Sequence, residues 1–132
     1  MRLLKAFIAG LVLPAIISPF LIIYLILQNE LNSVEHLPFI YIGPLLWGIW
    51  NIVFVTTRKK VPINNRSNRI GIYGAFYGLC SALINSLYFE FTSAIPSFSD
   101  SLIVPAIIFY PILLFFAWKY VVNALNLLFE VY

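Results

Sequence analysis

Five side chains of this sequence are the ones most able to do acid–base or metal chemistry: Glu30, Glu35, His36, Glu90 and Asp100. Carboxylates and an imidazole could together bind a divalent metal or act on a lipid headgroup. They lie in two separate segments, however, and adjacent residues such as Glu35 and His36 do not automatically converge. A solvated surface is the commoner outcome. Glu35, His36 and Glu90 therefore stay as metal candidates only, and no catalytic residue is assigned.

The sequence carries none of the compact motifs that identify a nucleotide, metal or hydrolase site. It has no Gly-rich phosphate loop, no HExxH, no GxSxG and no CxxC. Cys80 is its single cysteine, so neither an intrachain disulfide nor a cysteine metal cluster is expected. The sequence thus predicts no cofactor and favours a protein that is not an enzyme.

Two asparagines and two tryptophans are the other candidates for a site. Asn51 lies ~18 Å from one end of its apolar segment and Asn85 ~22 Å from the start of another, at 1.5 Å per helical residue. Each amide would need hydrogen-bond partners within a lipid environment. The amides either join neighbouring helices or line a polar pocket. Trp47 and Trp50 could likewise line a pocket for a flat or lipid-like ligand, although packing against helices is commoner.

The amino-acid composition indicates the environment in which these residues lie. The chain has 132 residues, of which 62% are hydrophobic and only 10% charged, and its mean hydropathy is +0.96. So few charges could not cover a globule of this size with a soluble surface, because soluble domains average about a quarter charged residues. The sequence therefore predicts an integral membrane protein whose apolar excess faces lipid.

Four apolar stretches are long enough to cross a bilayer as helices. A ~30 Å hydrocarbon core needs about 20 helical residues, and the predicted spans are residues 3–27, 39–57, 70–91 and 102–122. None shows the alternation of a barrel strand. The prediction is an all-α membrane protein, a four-transmembrane-helix bundle forming a single domain over residues 1–132, with residues 119–132 as a C-terminal interfacial extension.

Basic residues predict the orientation of these spans. Seven of the eight Lys and Arg residues flank the predicted spans on one side: Arg2, Lys5, Arg58, Lys59, Lys60, Arg66 and Arg69. By the positive-inside rule that side is cytoplasmic, which places both termini in the cytoplasm. The predicted location is a bacterial inner (plasma) membrane. The basic residues between the second and third predicted spans are interpreted as a topology determinant near anionic lipid headgroups. Nucleic acid is not an expected partner.

Small residues recur on one face of the third predicted span. At three- and four-residue spacing lie Gly71, Gly74, Ala75, Gly78, Ser81 and Ala82, with Asn85 one turn further on. Such a face lets another helix approach closely in lipid. It could be a dimer interface, a substrate-lining face or ordinary packing within the bundle, and the packing interpretation is preferred.

Prolines predict kinks near the middle of two spans. The sequence Pro-Ala-Ile-Ile begins at both Pro14 and Pro105, but an inverted repeat would pair units of equal helix number, which four spans cannot provide here. The repeated Pro-Ala-Ile-Ile sequence is therefore interpreted as coincidence and not as an internal duplication. Pro14 and Pro111 both fall near the midplane, where each frees the carbonyl four residues earlier. These two residues are candidates for a kink, hinge or ligand site.

Taken together, these features predict an oligomeric component for transport, or for translocation of a lipid or small molecule. Four helices enclose little space, so a second copy or other membrane subunits are expected as partners, besides membrane lipids. A membrane enzyme acting on a lipid-linked substrate at the outer face is the first alternative. A structural or accessory subunit without its own site is the second. Architecture alone does not decide between them.

Overall fold

The computed structural model describes residues 1–27, 38–92 and 100–132, with side chains described except at 38–40, 89–92, 100–103 and 106. In this part of the chain the regular structure is entirely helical. The helices are α1 (Arg2–Leu27), α2 (Pro38–Thr57), a 3₁₀ helix (Arg58–Lys60), α3 (Arg66–Thr92), α4 (Asp100–Phe116), a π-helix (Ala117–Val122) and α5 (Asn123–Leu128).

Three segments of these helices are long and apolar enough to cross a membrane: Arg2–Leu27, Arg66–Tyr88 and Ile107–Leu128. The prediction of an all-helical protein is confirmed for the described residues, and so is the presence of helices long and apolar enough to span a membrane. A fourth span at α2, the cytoplasmic termini and the bacterial inner membrane stay predictions.

The helices continue through their prolines. Pro14 and Pro19 lie inside α1, Pro44 lies inside α2, and Pro105 and Pro111 lie inside α4. The predicted kinks stay a prediction, although α4 gives way to the π-helix only six residues after Pro111. Single-turn π geometry is uncommon and often accompanies a local irregularity in a helix.

The described residues form two compact units. Unit 1 comprises Met1–Thr57 and Ala124–Tyr132, and unit 2 comprises Arg58–Asn123. Unit 1 therefore contains α1, α2 and the C-terminal segment, whereas unit 2 contains α3, α4 and the π-helix. The single domain predicted over residues 1–132 stays a prediction.

In unit 1, α1 and α2 approach closely at two glycines. A Cβ added to Gly10 would lie 2.6 Å from the Trp47 carbonyl oxygen, 2.8 Å from Asn51 Cβ and 3.0 Å from Gly48 Cα. Only a residue without a side chain fits there, because the nearest atoms belong mainly to the opposing backbone. Close backbone approach of this kind increases van der Waals contact between helices in lipid.

The end of α5 closes with a helix-terminating turn. Glu130 has a positive φ of 54°. Its N–H donates to the Leu127 carbonyl at 3.0 Å, and the Val131 N–H donates to the Asn126 carbonyl at 2.9 Å. This pair of bonds is the Schellman arrangement, in which the last carbonyls of a helix are satisfied and the chain reverses.

The reversed end of the chain packs on the rest of unit 1. Val131 is fully buried, and its carbonyl accepts a 2.7 Å hydrogen bond from Arg2 Nε. Lys5 Nζ lies 3.3 Å from Glu130 Oε2 in an exposed ion pair. The Tyr132 ring meets the buried Phe54 ring edge to face, with centroids 6.4 Å apart. The C-terminal segment is thus part of the core of unit 1.

In unit 2, α3 and α4 also pack through glycines. A Cβ added to Gly78 would lie 2.9 Å from Pro111 Cα, and one added to Gly74 would lie 2.5 Å from both the Leu114 carbonyl oxygen and Trp118 Cβ. Trp118 is fully buried. The missing side chains of α3 thereby make room for a large residue of the π-helix.

Candidate functional site

The two amides predicted within the membrane have different environments, and Asn51 is the fully bonded one. Its Nδ2 donates to the Ala6 carbonyl at 2.7 Å and to Asn126 Oδ1 at 2.8 Å. Asn126 Nδ2 donates in return to Asn51 Oδ1 at 3.0 Å. Both side chains are fully buried. Asn51 therefore joins α1, α2 and α5, and each amide oxygen of the pair accepts a hydrogen bond from the other residue.

Asn126 is a residue that sequence reasoning missed. By helical spacing in the sequence, Val121, Val122, Leu125, Leu128 and Phe129 share one apolar face of the last segment, and Asn126 lies largely away from it. The structure instead buries Asn126 completely and leaves Leu128 74% exposed. The physical reason is the reciprocal amide pair, which compensates the burial of both polar side chains. A second asparagine in an apolar stretch was the only signal in the sequence.

Asn85 differs because part of its amide has no partner among the described residues. Its Oδ1 is buried yet accepts no hydrogen bond from any group in the described part of the chain. Four and eight residues earlier on α3 lie Ser81 and Tyr77, whose side chains hydrogen-bond to each other. Residues at this spacing share one helix face. We refer to Tyr77, Ser81 and Asn85 as the α3 polar row.

Tyr77 anchors one end of the α3 polar row. Its ring lies 6.4 Å from the Trp118 ring, measured between centroids, at an interplanar angle of 34°. The row therefore begins beside the buried π-helix and runs along α3 towards Asn85. A hydroxyl, a second hydroxyl and an amide oxygen could contact a polar group successively along about 12 Å of helix, given 1.5 Å per residue.

Of the tryptophan and proline candidates, Trp47 and Pro111 lie at helix crossings. Trp47 is buried, with its carbonyl against Gly10, whereas Trp50 is partly exposed. Pro14 is partly buried, and its carbonyl accepts a 2.8 Å hydrogen bond from Ser18 Oγ. Pro111 contacts Gly78 at the crossing of α3 and α4. Helix packing therefore places Trp47 and Pro111, and a ligand role for all four candidates stays a prediction.

The small residues of α3 face α4 within unit 2. Gly71 lies against the Phe115 ring, Gly74 against Trp118, and Gly78 against Pro111. Ala82 is buried, whereas Ala75 and Ser81 are partly exposed. These contacts agree with packing inside one chain. Contact of the same face with a second copy stays a prediction.

The four acidic side chains and the histidine proposed as a possible metal or acid–base site lie outside the part of the chain that the structure describes. Glu30, Glu35 and His36 lie among residues 28–37, and the side chains of Glu90 and Asp100 are also outside the described set. Among the described residues, no three His, Cys, Asp or Glu side chains come close enough to hold a metal ion. The metal candidates Glu35, His36 and Glu90 therefore stay predictions.

Comparison with known proteins adds no relative to this picture: no protein-family model, no curated protein and no solved structure matches the chain. The site must therefore be interpreted from its own chemistry, in which Asn51 both donates and accepts hydrogen bonds and Asn85 has a buried acceptor without a partner among the described residues.

Proposed function

We propose that this chain is a four-span membrane protein that translocates a lipid or another small amphiphile, as one component of a larger assembly. The observation that supports this proposal is the buried Oδ1 of Asn85, which has no hydrogen-bond partner within the described residues. Each unsatisfied polar group in a hydrocarbon environment costs several kcal/mol. A donor from outside this part of the chain would remove that cost, and a lipid headgroup that carries an ammonium or hydroxyl group, as in phosphatidylethanolamine or phosphatidylglycerol, supplies one.

The α3 polar row gives such a headgroup a place to bind. The side chains of Tyr77 and Ser81 hydrogen-bond to each other, and they lie on the same helix face as the unpaired acceptor of Asn85. Ile84 and Leu87, which flank Asn85 on α3, are 58% and 55% exposed. A polar row bordered by exposed apolar side chains matches a molecule with a polar head and apolar tails.

The charge distribution favours an amphiphile over an ion or proton as the substrate. Residues 70–88 of α3 contain no Asp, Glu, Lys or Arg. Proton-coupled and ion-coupled transporters usually carry an ionisable side chain within the membrane, because its charge state must respond to both faces. A neutral row of hydroxyl and amide groups is better suited to a headgroup that exchanges hydrogen bonds as it moves.

An assembly is proposed because each unit leaves many large apolar side chains exposed. On α1 these include Phe20, Tyr24 and Leu27, at 69%, 57% and 74% exposure. Lipid tails, a second copy of the chain or another membrane subunit would cover such surfaces. A second copy that packs on Ile84 and Leu87, the exposed neighbours of Asn85, would enclose the α3 polar row between two chains, which a pathway for a headgroup requires.

A lipid-scrambling assay with two asparagine variants tests the proposal. The full chain is reconstituted into vesicles that contain a fluorescent phospholipid, and dithionite bleaching reports how much probe reaches the outer leaflet. We expect Asn85→Leu to abolish translocation without lowering the unfolding midpoint, because it removes an unpaired polar group. Asn51→Leu should lower the unfolding midpoint instead. Ser86→Ala is the matched control on the same helix, since Ser86 Oγ donates to the Ala82 carbonyl of its own helix at 2.8 Å.

The outcomes separate the alternatives. Full translocation by Asn85→Leu would contradict a role for the α3 polar row. Wild-type vesicles that scramble no faster than protein-free vesicles would favour an accessory subunit. If instead a lipid-linked substrate were chemically changed and His36→Ala stopped that change, the membrane-enzyme alternative would replace the proposal.

A further inference from the structure

One end of unit 2 combines many basic side chains with a lack of acidic ones. Residues 36–89 and 101–129 contain no Asp or Glu. The six basic residues of unit 2 are Arg58, Lys59, Lys60, Arg66, Arg69 and Lys119. Three of them form the 3₁₀ helix, and Arg66 and Arg69 lie in the first turn of α3. The sixth belongs to the π-helix.

Arg69 connects the loop at residues 61–65 to the start of α3. Its Nε donates to the Ile63 carbonyl at 2.9 Å, and its Nη2 donates to the same oxygen. Asn65 Oδ1 accepts from the N–H groups of Ser67 and Asn68 at the start of the helix. These bonds tie the loop to the start of α3, and Lys59 and Lys60 in the preceding 3₁₀ helix are exposed.

The sixth basic residue, Lys119, is held at the same end of unit 2. Ser67 Oγ, in the first turn of α3, donates to the Lys119 carbonyl at 3.3 Å. The ammonium of Lys119 lies 5.5 Å from the centroids of both the Phe115 and Tyr120 rings. Aromatic rings around a lysine at the end of an apolar helix are typical of the membrane–water interface.

An exposed apolar face of α4 leads directly to Lys119. Phe109, Leu113 and Phe116 are 68%, 62% and 48% exposed and lie at three- to four-residue spacing. Phe116 stacks on Tyr120, with ring centroids 6.2 Å apart and an interplanar angle of 4°. The surface is therefore apolar along α4, aromatic at its end and cationic beyond it.

We propose that the surface formed by Lys59, Lys60, Lys119 and the exposed apolar face of α4 binds an anionic phospholipid. We call this surface the basic end. The phosphate headgroup contacts the ammonium groups of Lys119, Lys59 and Lys60, and the acyl chains lie along Phe109, Leu113 and Phe116. A soluble polyanion such as a nucleic acid would use the charges but not the exposed apolar face. This binding is independent of the α3 polar row and of the translocation proposed above.

Native mass spectrometry of the full chain in mild detergent tests the inference. The protein is mixed with phosphatidylglycerol and phosphatidylcholine of identical acyl chains, and the retained fraction of each is measured. We expect wild type to prefer phosphatidylglycerol and Lys119→Gln to weaken that binding about fivefold, since a basic residue near anionic lipid contributes ~1 kcal/mol. The double change Lys59→Gln with Lys60→Gln should weaken it further, and Lys119→Arg should retain it.

Lys5→Gln is the matched control, because it changes the net charge equally but lies in unit 1, beside Glu130. It should leave the lipid preference unchanged. Equal losses in Lys5→Gln and Lys119→Gln would overturn the inference by reducing it to net charge. So would a wild-type protein without preference for phosphatidylglycerol. Displacement of the lipid by millimolar inorganic phosphate would reassign the surface to a free anion and overturn it as well.

Discussion

Asn51 and Asn126 form a reciprocal pair of amide hydrogen bonds, 2.8 and 3.0 Å long, between α2 and α5. The remaining donor capacity of Asn51 goes to the Ala6 carbonyl of α1. Two residues separated by 75 positions in the chain thus close unit 1 around one buried polar contact. This contact makes the most direct prediction about stability.

We expect Asn51→Leu and Asn126→Leu each to destabilise the fold by about 1–3 kcal/mol, because each leaves a buried amide unpaired. The double variant should cost less than the sum of the two, since replacing both partners with apolar groups removes the unpaired amides together. Detergent-based unfolding followed by circular dichroism measures all three. Strictly additive losses would show that the two amides do not stabilise each other.

Gly10 gives a second prediction, about the crossing of α1 and α2. Gly10→Ala should lower the stability, because the new Cβ would lie within 3.0 Å of the Trp47 carbonyl, Asn51 Cβ and Gly48 Cα. Gly43→Ala on α2 is the matched control, since a Cβ there meets nothing within 4 Å. That change should cost much less stability than Gly10→Ala, because its steric effect is confined to the neighbouring Pro44, which offsets the gain from helix propensity. Comparable effects of the two changes in an unfolding experiment would argue against a tight crossing at Gly10.

Local apolar patterns predicted the helices well. The spans expected at 3–27 and 39–57 correspond to α1 at Arg2–Leu27 and α2 at Pro38–Thr57, and the third expected span lies within α3. Helix length and apolarity are properties of neighbouring residues, so the sequence displays them directly. The small-residue face of α3 was visible for the same reason, because its spacing alone places Gly71, Gly74 and Gly78 on one side.

Long-range pairing could not be predicted in this way. Asn51 and Asn85 look alike in sequence, since each is an amide within an apolar stretch. Only the fold brings Asn126 to Asn51 and leaves the Oδ1 of Asn85 without a partner among the described residues. The chain reversal at Glu130 was equally hidden, because a positive φ is unusual for glutamate and no glycine marks the turn.

Glu130 supports a third prediction, in which three substitutions separate backbone strain from charge. Glu130→Gly should keep or slightly raise the stability, because glycine adopts the φ of 54° without steric cost. Glu130→Gln removes only the exposed ion pair with Lys5 and should change the stability by less than about 1 kcal/mol. Glu130→Val should destabilise by about 1–3 kcal/mol, since a β-branched residue is strained at this φ. A valine variant as stable as the glycine variant would contradict the turn.

Arg69 supports a fourth prediction, about the order of the loop between the 3₁₀ helix and α3. Arg69→Gln removes the two charged donors that contact the Ile63 carbonyl. Because a hydrogen bond to a charged group contributes about 1.5–3 kcal/mol, amide hydrogen exchange at residues 61–65 should accelerate about tenfold or more. Arg66→Gln is the matched control, since Arg66 is also basic and is exposed at the start of α3. If both variants accelerated exchange equally, the loop would depend on general charge rather than on the Arg69 contact with Ile63.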